Sequence, residues 1–319
     1  MSGFGARDGT RTHTALTTRT SNVLVYHSNT LASALKYYIY AVLICQYIFL
    51  LFWENHNLLF FIKQCGIIIQ NREVAQVVRF FAAPEDLCTD EIRLTGDNAA
   101  HAKVLRLKAG ENVLVCDGNG AECVCTVLEC SSNNVILKVN SRQQSVTEAP
   151  VKVSIYMAFP KSDKLEHVIQ KATELGAYEI VAFPSSRCVS KPDEKSLKKK
   201  LERWQKIAAS AAEQSGRGII PQVLVLSSFS DALKRASEAE LPIMFYENEH
   251  ATTLRMALES GDYKAISLLS GPEGGLEEKE VEMAKSIGMH ICTLGHRILR
   301  CETAPLCGLS AVMYACGEF

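Results

Sequence analysis

The sequence predicts an α/β protein in two parts, a small barrel of short strands followed by a larger region of alternating strands and helices. Three observations carry this. From Val151 to the chain end, apolar runs alternate with amphipathic stretches, the pattern of a mostly parallel sheet with helices on both faces. Between Val113 and Val139, three β-prone runs surround Asp117-Gly118-Asn119-Gly120, a strong hairpin signal. Between the two lies a polar stretch, Ser141 to Pro150, that lacks periodicity and ends in Ala-Pro. The expected division is therefore a barrel over 78–141, a linker over 142–150 and an α/β region over 151–319. The chain has 319 residues, of which 47% are hydrophobic and 22% charged, the composition of a soluble globular protein with room for two domains. A net charge of −1 excludes any general attraction to nucleic acid, so an RNA site must be a local basic patch.

Residues 1–77 differ from the rest. Ser2 to Thr20 is rich in Arg, Thr and Gly, and Tyr37 to Trp53 is an almost wholly apolar run. Residues 37–53 fall short of the ~20 apolar residues that span a bilayer. Three readings stand: a membrane anchor, a targeting peptide whose apolar part lies too deep for a standard signal, or an extension from a start site placed too far upstream. Gly5-Ala6-Arg7-Asp8-Gly9-Thr10-Arg11-Thr12-His13 resembles strings produced when transfer-RNA genes are translated in error, which favours the third reading, with Val77 or Val78 as initiator. Twelve cysteines raise the question of disulfides or zinc. Cys116, Cys123, Cys125 and Cys130 lack a Cys-x-x-Cys pair or a nearby histidine, and Cys301 and Cys307 flank a proline, so no metal is expected. The thiols are expected to be reduced and mostly buried, as in a cytoplasmic protein.

Within the barrel, strands are expected at Val113–Cys116, Glu122–Leu128 and Val135–Val139, preceded by a short helix near His101-Ala102-Lys103-Val104-Leu105-Arg106-Leu107. In the α/β region the strands are Val153–Ala158, Glu179–Phe183, Gln222–Leu226, Pro242–Tyr246, Ala265–Leu269 and His290–Leu294. Helices fill the intervals. Lys164–Leu175 has Leu165, Val168, Ile169, Ala172 and Leu175 on one face, with Asp163 placed to cap it, Glu166 at the reciprocal position and Gly176 to stop it. Ser196–Gln214 buries Leu197, Leu201, Trp204, Ile207 and Ala211, which turns Lys198, Lys199, Lys200, Arg203 and Lys206 outward. With Lys191 and Lys195 this stretch has a local surplus of positive charge, either a solvated face or a phosphate-binding one. Helices at Ser230–Ala236, near Thr252–Leu258 and at Leu276–Ile287 follow, and a last helix opens at Glu302-Thr303-Ala304-Pro305, with Thr303 as N-cap and Pro305 in the first turn.

Two glycine-bearing loops each lead into a helix: Ser270-Gly271-Pro272-Glu273-Gly274-Gly275, and Leu294-Gly295-His296-Arg297-Ile298-Leu299-Arg300. Two successive strand-loop-helix units are expected to set them at the carboxyl ends of neighbouring parallel strands, where open α/β sheets bind ligands. Glycine there allows close main-chain approach. The chain lacks Gly-x-x-x-x-Gly-Lys-Ser/Thr, and no Gly-x-Gly-x-x-Gly follows the first strand of the α/β region, which weighs against P-loop and standard dinucleotide sites.

Gly271-Pro272-Glu273-Gly274-Gly275, Leu294-Gly295, Arg297-Ile298-Leu299-Arg300 and Glu302-Thr303-Ala304 together resemble the carboxyl-terminal signature of SPOUT-superfamily RNA methyltransferases of the RsmE type, and the resemblance reaches back to about Arg79. It implies a PUA-like RNA-binding barrel, then a SPOUT-type α/β domain with a C-terminal trefoil knot, a fold that no spacing argument predicts. It further implies S-adenosylmethionine (SAM) as cofactor and N3 of a uridine in 16S ribosomal RNA as methyl acceptor. The partners it implies are the small ribosomal subunit and a second copy of the chain, with the active sites at the dimer interface. Leu269, Gly271, Glu273, Gly274, Gly275, Leu294, Gly295, Ile298 and Leu299 are the candidate cofactor residues. Arg79, His101, Arg106, Lys198, Lys199, Lys200 and Arg217 are candidate RNA contacts. For the barrel residues, solvated structural charges remain the alternative.

Methyl transfer to uracil N3 requires loss of its proton, so Arg300 and Arg187 are candidates to stabilise the developing anion or grip the adjacent phosphate. Glu302 would take the proton, orient Arg300, or serve only as a charge at a helix N-terminus. The competing class is a non-catalytic RNA-binding protein with a degenerate pocket, or a SPOUT enzyme acting on another RNA.

Overall fold

The computed structural model describes residues 77–319, apart from 132 and 190–193. Apart from Val77, the expected extension and its apolar run 37–53 lie outside the described residues, as does Lys191. Among the described residues no helix is long and apolar enough to cross a membrane.

The first sheet is built from β1 (Arg79–Phe81), β2 (Glu91–Thr95), β3 (Asn112–Cys116), β4 (Ala121–Cys130) and β5 (Asn134–Gln144), in the order β1-β3-β4-β5-β2. Only the β1–β3 pair is parallel. Phe80, Ile92, Leu94, Val113, Val127 and Leu137 fill its interior. Helix α1 (Gly96–Val104) precedes β3. The expected hairpin joins β3 to β4: Asp117 Oδ1 accepts from the amides of Asn119 (2.7 Å) and Ala121 (3.0 Å), and Gly118 and Gly120 both have positive φ. β5 runs three residues into the stretch expected as linker, because Arg142, Gln143 and Gln144 pair with Cys123, Glu122 and Ala121. The connection proper is therefore shorter.

The second sheet is wholly parallel, in the order β11-β9-β10-β6-β7-β8. Its strands are β6 (Lys152–Ala158), β7 (Glu179–Phe183), β8 (Gln222–Val225), β9 (Leu241–Phe245), β10 (Ala265–Ser270) and β11 (His290–Cys292). The helices are α2 (Lys164–Glu174), α3 (Glu194–Ser215), α4 (Phe229–Ala236), α5 (Leu254–Leu258), α6 (Glu278–Ser286) and α7 (Thr303–Ala315). One expectation is corrected: β10 and β11 are not neighbours. Both edges of β10 are taken, by β6 and β9, so β11 pairs with the free edge of β9. The two glycine loops still leave the same, carboxyl edge. At α7 the N-cap is Glu302, and Thr303 is the first helical residue. Asp163 stands at the N-cap of α2 without a side-chain cap bond, and Glu166 reaches Arg203 on α3 instead, at 2.7 Å.

Two candidate RNA contacts prove to be internal. Arg79 has a side chain only 7% exposed and donates to Glu122 (3.0 Å), an ion pair that lets a guanidinium stay charged inside the barrel. Arg217 lies where α3 turns back to the start of β8, the amino edge of the sheet, opposite the glycine loops. Its side chain is 5% exposed, and its Nη2 donates to Glu148 Oε2 at 2.6 Å and its Nη1 to the carbonyls of Ala177 (2.8 Å) and Thr173 (3.1 Å). Glu148 also accepts from the amides of Gly218 and Ile219 at 2.9 and 3.0 Å. The connection between the sheets is thus buckled onto the α/β body. His101 Nδ1, 2.8 Å from Glu213 on α3, makes a second tie, and the hairpin tip a third, with the Ile220 amide on the Gly118 carbonyl.

Arg217→Met leaves the part-buried Glu148 carboxylate, 15% exposed, beside two backbone donors but without its counter-charge. We expect it to lower unfolding stability in urea by about 3–5 kcal/mol and to leave RNA affinity of the folded fraction within about twofold. A large loss of RNA affinity at unchanged stability would return Arg217 to the RNA interface.

Candidate active site at the carboxyl edge of the sheet

The first glycine loop closes as a tight turn, with the Gly275 amide on the Pro272 carbonyl at 2.9 Å, and passes into α6. Glu280 of α6 anchors it. Its buried carboxylate accepts from the Glu277 amide (2.8 Å) and, across the edge, from the Ser186 amide (2.9 Å). The loop after β7 is thereby held against the first glycine loop, and Arg187 Nη1 donates to the Gly274 carbonyl at 3.0 Å.

The glycines of this loop serve close packing of protein on protein. A Cβ on Gly271 would stand 3.0 Å from Leu276 Cγ, and one on Gly274 would stand 3.1 Å from Arg187 Cβ. Gly275 has φ +68°, a left-handed conformation that disfavours a side chain, and a Cβ there would collide with the Glu247 carboxylate. The second loop is different. Gly295 has φ +107° with nothing within 4 Å of its Cβ direction, and Ile298 is 86% exposed. Among the described residues, no hydrogen bond engages the main-chain groups of 296–299. Open space beside unpaired backbone donors and acceptors fits the adenine and ribose of SAM, and Leu294 to Leu299 would hold them. Leu269, fully buried at the end of β10, has only its backbone to offer.

One side chain joins the two loops. Lys164, at the first turn of α2, places Nζ 3.0 Å from Glu273 Oε1 in the first loop and 3.1 Å from Glu302 Oε2 after the second. The Lys161 amide adds a bond to Glu273 at 3.0 Å. Hydrogen bonds to the two carboxylates raise the Lys164 pKa above its ordinary 10.5. Burial works against the charged forms of Glu273 and Glu302. Lys164 and backbone amides outweigh it for both, with the Cys301 thiol adding to Glu302, and hold both below the ordinary 4.5. Depressed carboxyl values lend stability above about pH 4.5 that is lost as pH falls through them. The raised lysine value lends stability that is whole below about pH 10.5 and lost above it. The clamp is therefore fully charged across the neutral range. Cys301 beside it is no nucleophile, since burial first and the adjacent carboxylates push its thiol up to about 12.

Arg300 is 83% exposed, its Nη1 4.0 Å from Glu302 Oε1, and so is free to meet a substrate. Lys198, Lys199 and Lys200 are exposed on α3 and Arg106 is exposed beyond α1, as expected. Among the described residues no cluster of His, Cys, Asp or Glu is arranged to hold a metal.

Sequence reasoning missed Lys164 and Glu247. Both lie at the start of segments leaving the carboxyl edge, after β6 and β9, as Arg187 does after β7. The sequence pattern marks Lys164 only as the first residue of an amphipathic helix.

Known proteins match in the same places. A family model for the RNA methyltransferase domain matches residues 147–313, and one for the RNA methyltransferase PUA domain matches 94–140. The chain is 41% identical over 227 residues to ribosomal RNA small subunit methyltransferase E of Bacillus subtilis (strain 168), covering 69% of this chain and 89% of that protein. The protein of the same name from Synechocystis is 31% identical over 237 residues, 73% and 76% of the two chains. Among solved structures, the Neisseria gonorrhoeae ribosomal RNA small subunit methyltransferase E bound to S-adenosyl methionine is 29% identical, with TM-score 0.64, covering 75% of this chain and 97% of that one.

Gly275→Ala combines left-handed strain, about 1–2 kcal/mol, with the collision against Glu247. Calorimetric SAM affinity is expected to fall about tenfold or more, and removing the carboxylate as well, in Gly275→Ala with Glu247→Ala, should recover part of it. Equal losses in the single and double variants would show that the close approach to Glu247 is unimportant.

Proposed function

Since the chain belongs to the ribosomal RNA small subunit methyltransferase E family and is an enzyme that uses SAM to methylate ribosomal RNA, we propose that its acceptor is N3 of a uridine in 16S ribosomal RNA. The observation that carries this reading is the pair of loops tied by Lys164, open at Leu294–Leu299, with an uncommitted arginine at its rim. SAM supplies an electrophilic methyl group. The protein's part is to hold its adenosine moiety on the open backbone of the second loop and to keep the first loop in register with it, so that positioning supplies most of the rate.

Uracil N3 becomes a nucleophile only when its proton leaves. Arg300 is poised to favour the anion, since only Glu302 lies beside it and most of its guanidinium faces solvent. Glu302 orients Arg300 and Lys164. Burial is outweighed by hydrogen bonds that hold Glu302 below its ordinary pKa, so it stays ionised beside Arg300, and the N3 proton leaves to water or to this carboxylate. Arg187, committed in part to the Gly274 carbonyl, sets the first loop and keeps donors to spare for a phosphate.

We include in this reading a trefoil knot, a homodimer, binding to the small ribosomal subunit and a cytoplasmic site of action. For the knot, α7 returns across β10 and β6 after β11 has joined the far edge beside β9. For the dimer, α7 is apolar around its circumference yet leaves Cys307 and Tyr314 exposed, a face that a second copy would cover.

Mass mapping of 16S RNA methylated in vitro on small subunits is expected to show one methyl on a uridine base. Arg300→Ala should lower the single-turnover rate at saturating RNA by about 10²-fold with little change in RNA affinity. Reversing charge at Lys198, Lys199 and Lys200 together should weaken RNA binding and flatten its salt dependence, with the rate restored at high RNA and low salt. Recovery of the normal rate by Arg300→Ala at saturation would make Arg300 a binding residue.

A further inference from the structure

Ile298 is the most exposed large apolar side chain among the described residues, at 86%. A single exposed isoleucine is ordinary on a protein surface. This one stands in the open loop after β11, two residues before Arg300. The loop is pinned at both ends and free between them. Thr293 Oγ1 accepts from the Gly295 amide at 3.2 Å, and the Arg300 carbonyl accepts from the amides of Thr303 (2.9 Å) and Ala304 (3.0 Å). Exposure alternates along the free part: Ile298 and Arg300 are exposed, and Leu299 between them is half-buried. Residues two apart in an extended segment face the same way, so the isoleucine and the guanidinium stand on one side of the loop.

The acceptor chemistry has a use for both. N3 lies on the edge that uracil uses for base pairing, so a base methylated there must be unpaired and turned out to the enzyme. An arginine reaches the polar edge of such a base, where the anion's charge collects, and leaves its faces in water. Enzymes that take a base out of its stack read its edge with hydrogen bonds and cover its face with an aromatic or apolar side chain. Apolar cover also excludes water from the charge that Arg300 stabilises. A side chain lining the adenine pocket would be covered by the loops that form it, and Ile298 is not.

We propose that the Ile298 side chain is the platform for the acceptor base, packing on one face of the unpaired uracil while Arg300 meets its edge. One loop then carries the cofactor on its backbone and the acceptor on its side chains, which sets the methyl group and N3 in a fixed relation. The inference rests on uracil N3 being the acceptor, and it adds the residue that selects a flat, unpaired base.

The test uses the full chain and small subunits reconstituted on unmodified 16S RNA. Ile298→Ala keeps the backbone, so its SAM affinity by calorimetry should stay within about twofold. Its single-turnover rate at saturating subunits should fall about tenfold, the order expected for an apolar contact of that size. Affinity for the subunits should keep its salt dependence, because an apolar contact releases no counterion. Ile298→Val, with most of the apolar surface restored, should recover most of the rate. An unaltered rate in Ile298→Ala overturns the platform. A parallel fall in SAM affinity overturns it too and gives the side chain to the cofactor, and a change of oligomeric state on sedimentation gives it to a second copy of the chain. Mapping the product of the unaltered chain tests the acceptor separately. A methyl on any atom other than uracil N3 overturns that reading, while a methyl on N3 with an unaltered Ile298→Ala rate overturns the platform alone.

Discussion

Lys164 Nζ lies within 3.1 Å of two carboxylates that come from loops more than twenty residues apart in sequence. Each loop alone is a short exposed segment, and short exposed segments pay a conformational cost to hold one shape. Tying both to the first turn of α2 transfers the rigidity of β6 and its helix to them. The three side chains keep between 18% and 29% of their surface exposed, so the arrangement retains enough solvent to avoid the penalty of a fully buried ion network. It also leaves Arg300 only a long contact, 4.0 Å, to the second oxygen of Glu302, whose other oxygen is engaged by the lysine. The edge thus has two carboxylates sharing one lysine inside and an exposed arginine at its rim.

A second constraint fixes how the barrel relates to that edge. Glu148 receives the Arg217 guanidinium and two backbone amides, and the hairpin tip rests on the segment before β8. These contacts lie at the amino edge, away from the glycine loops. The barrel is therefore set against the α/β body by polar bonds at the edge opposite the glycine loops. Arg79 and Arg217 belong to this framework: their charge is spent inside the protein.

Much of this was legible from residue order. Strand and helix alternation after Val151 is a periodicity signal, and every strand expected in the α/β region forms within a residue or two of its expected limits. The hairpin at Asp117–Gly120 and the outward lysines of α3 follow from local chemistry for the same reason. What failed was long-range. The place of β11 beside β9 depends on which sheet edges are already filled. The burial of Arg79 and Arg217 depends on Glu122 and Glu148, partners that spacing does not reveal. The sequence also does not show that a Cβ at Gly271, Gly274 or Gly275 would meet Leu276, Arg187 or Glu247, whereas Gly295 in the second loop opens onto free space. Lys164 escaped notice because a lysine opening an amphipathic helix is the commonest of surface features.

The clamp is the central claim, and a double-mutant cycle on SAM affinity tests it most directly, with Lys164→Met, Glu302→Gln and the pair measured by calorimetry at neutral pH. Groups that act through one contact are non-additive. If Lys164 holds the second loop through Glu302, the double variant should bind SAM about as weakly as Lys164→Met alone. Losses that multiply in the double variant, as for independent sites, would contradict the account.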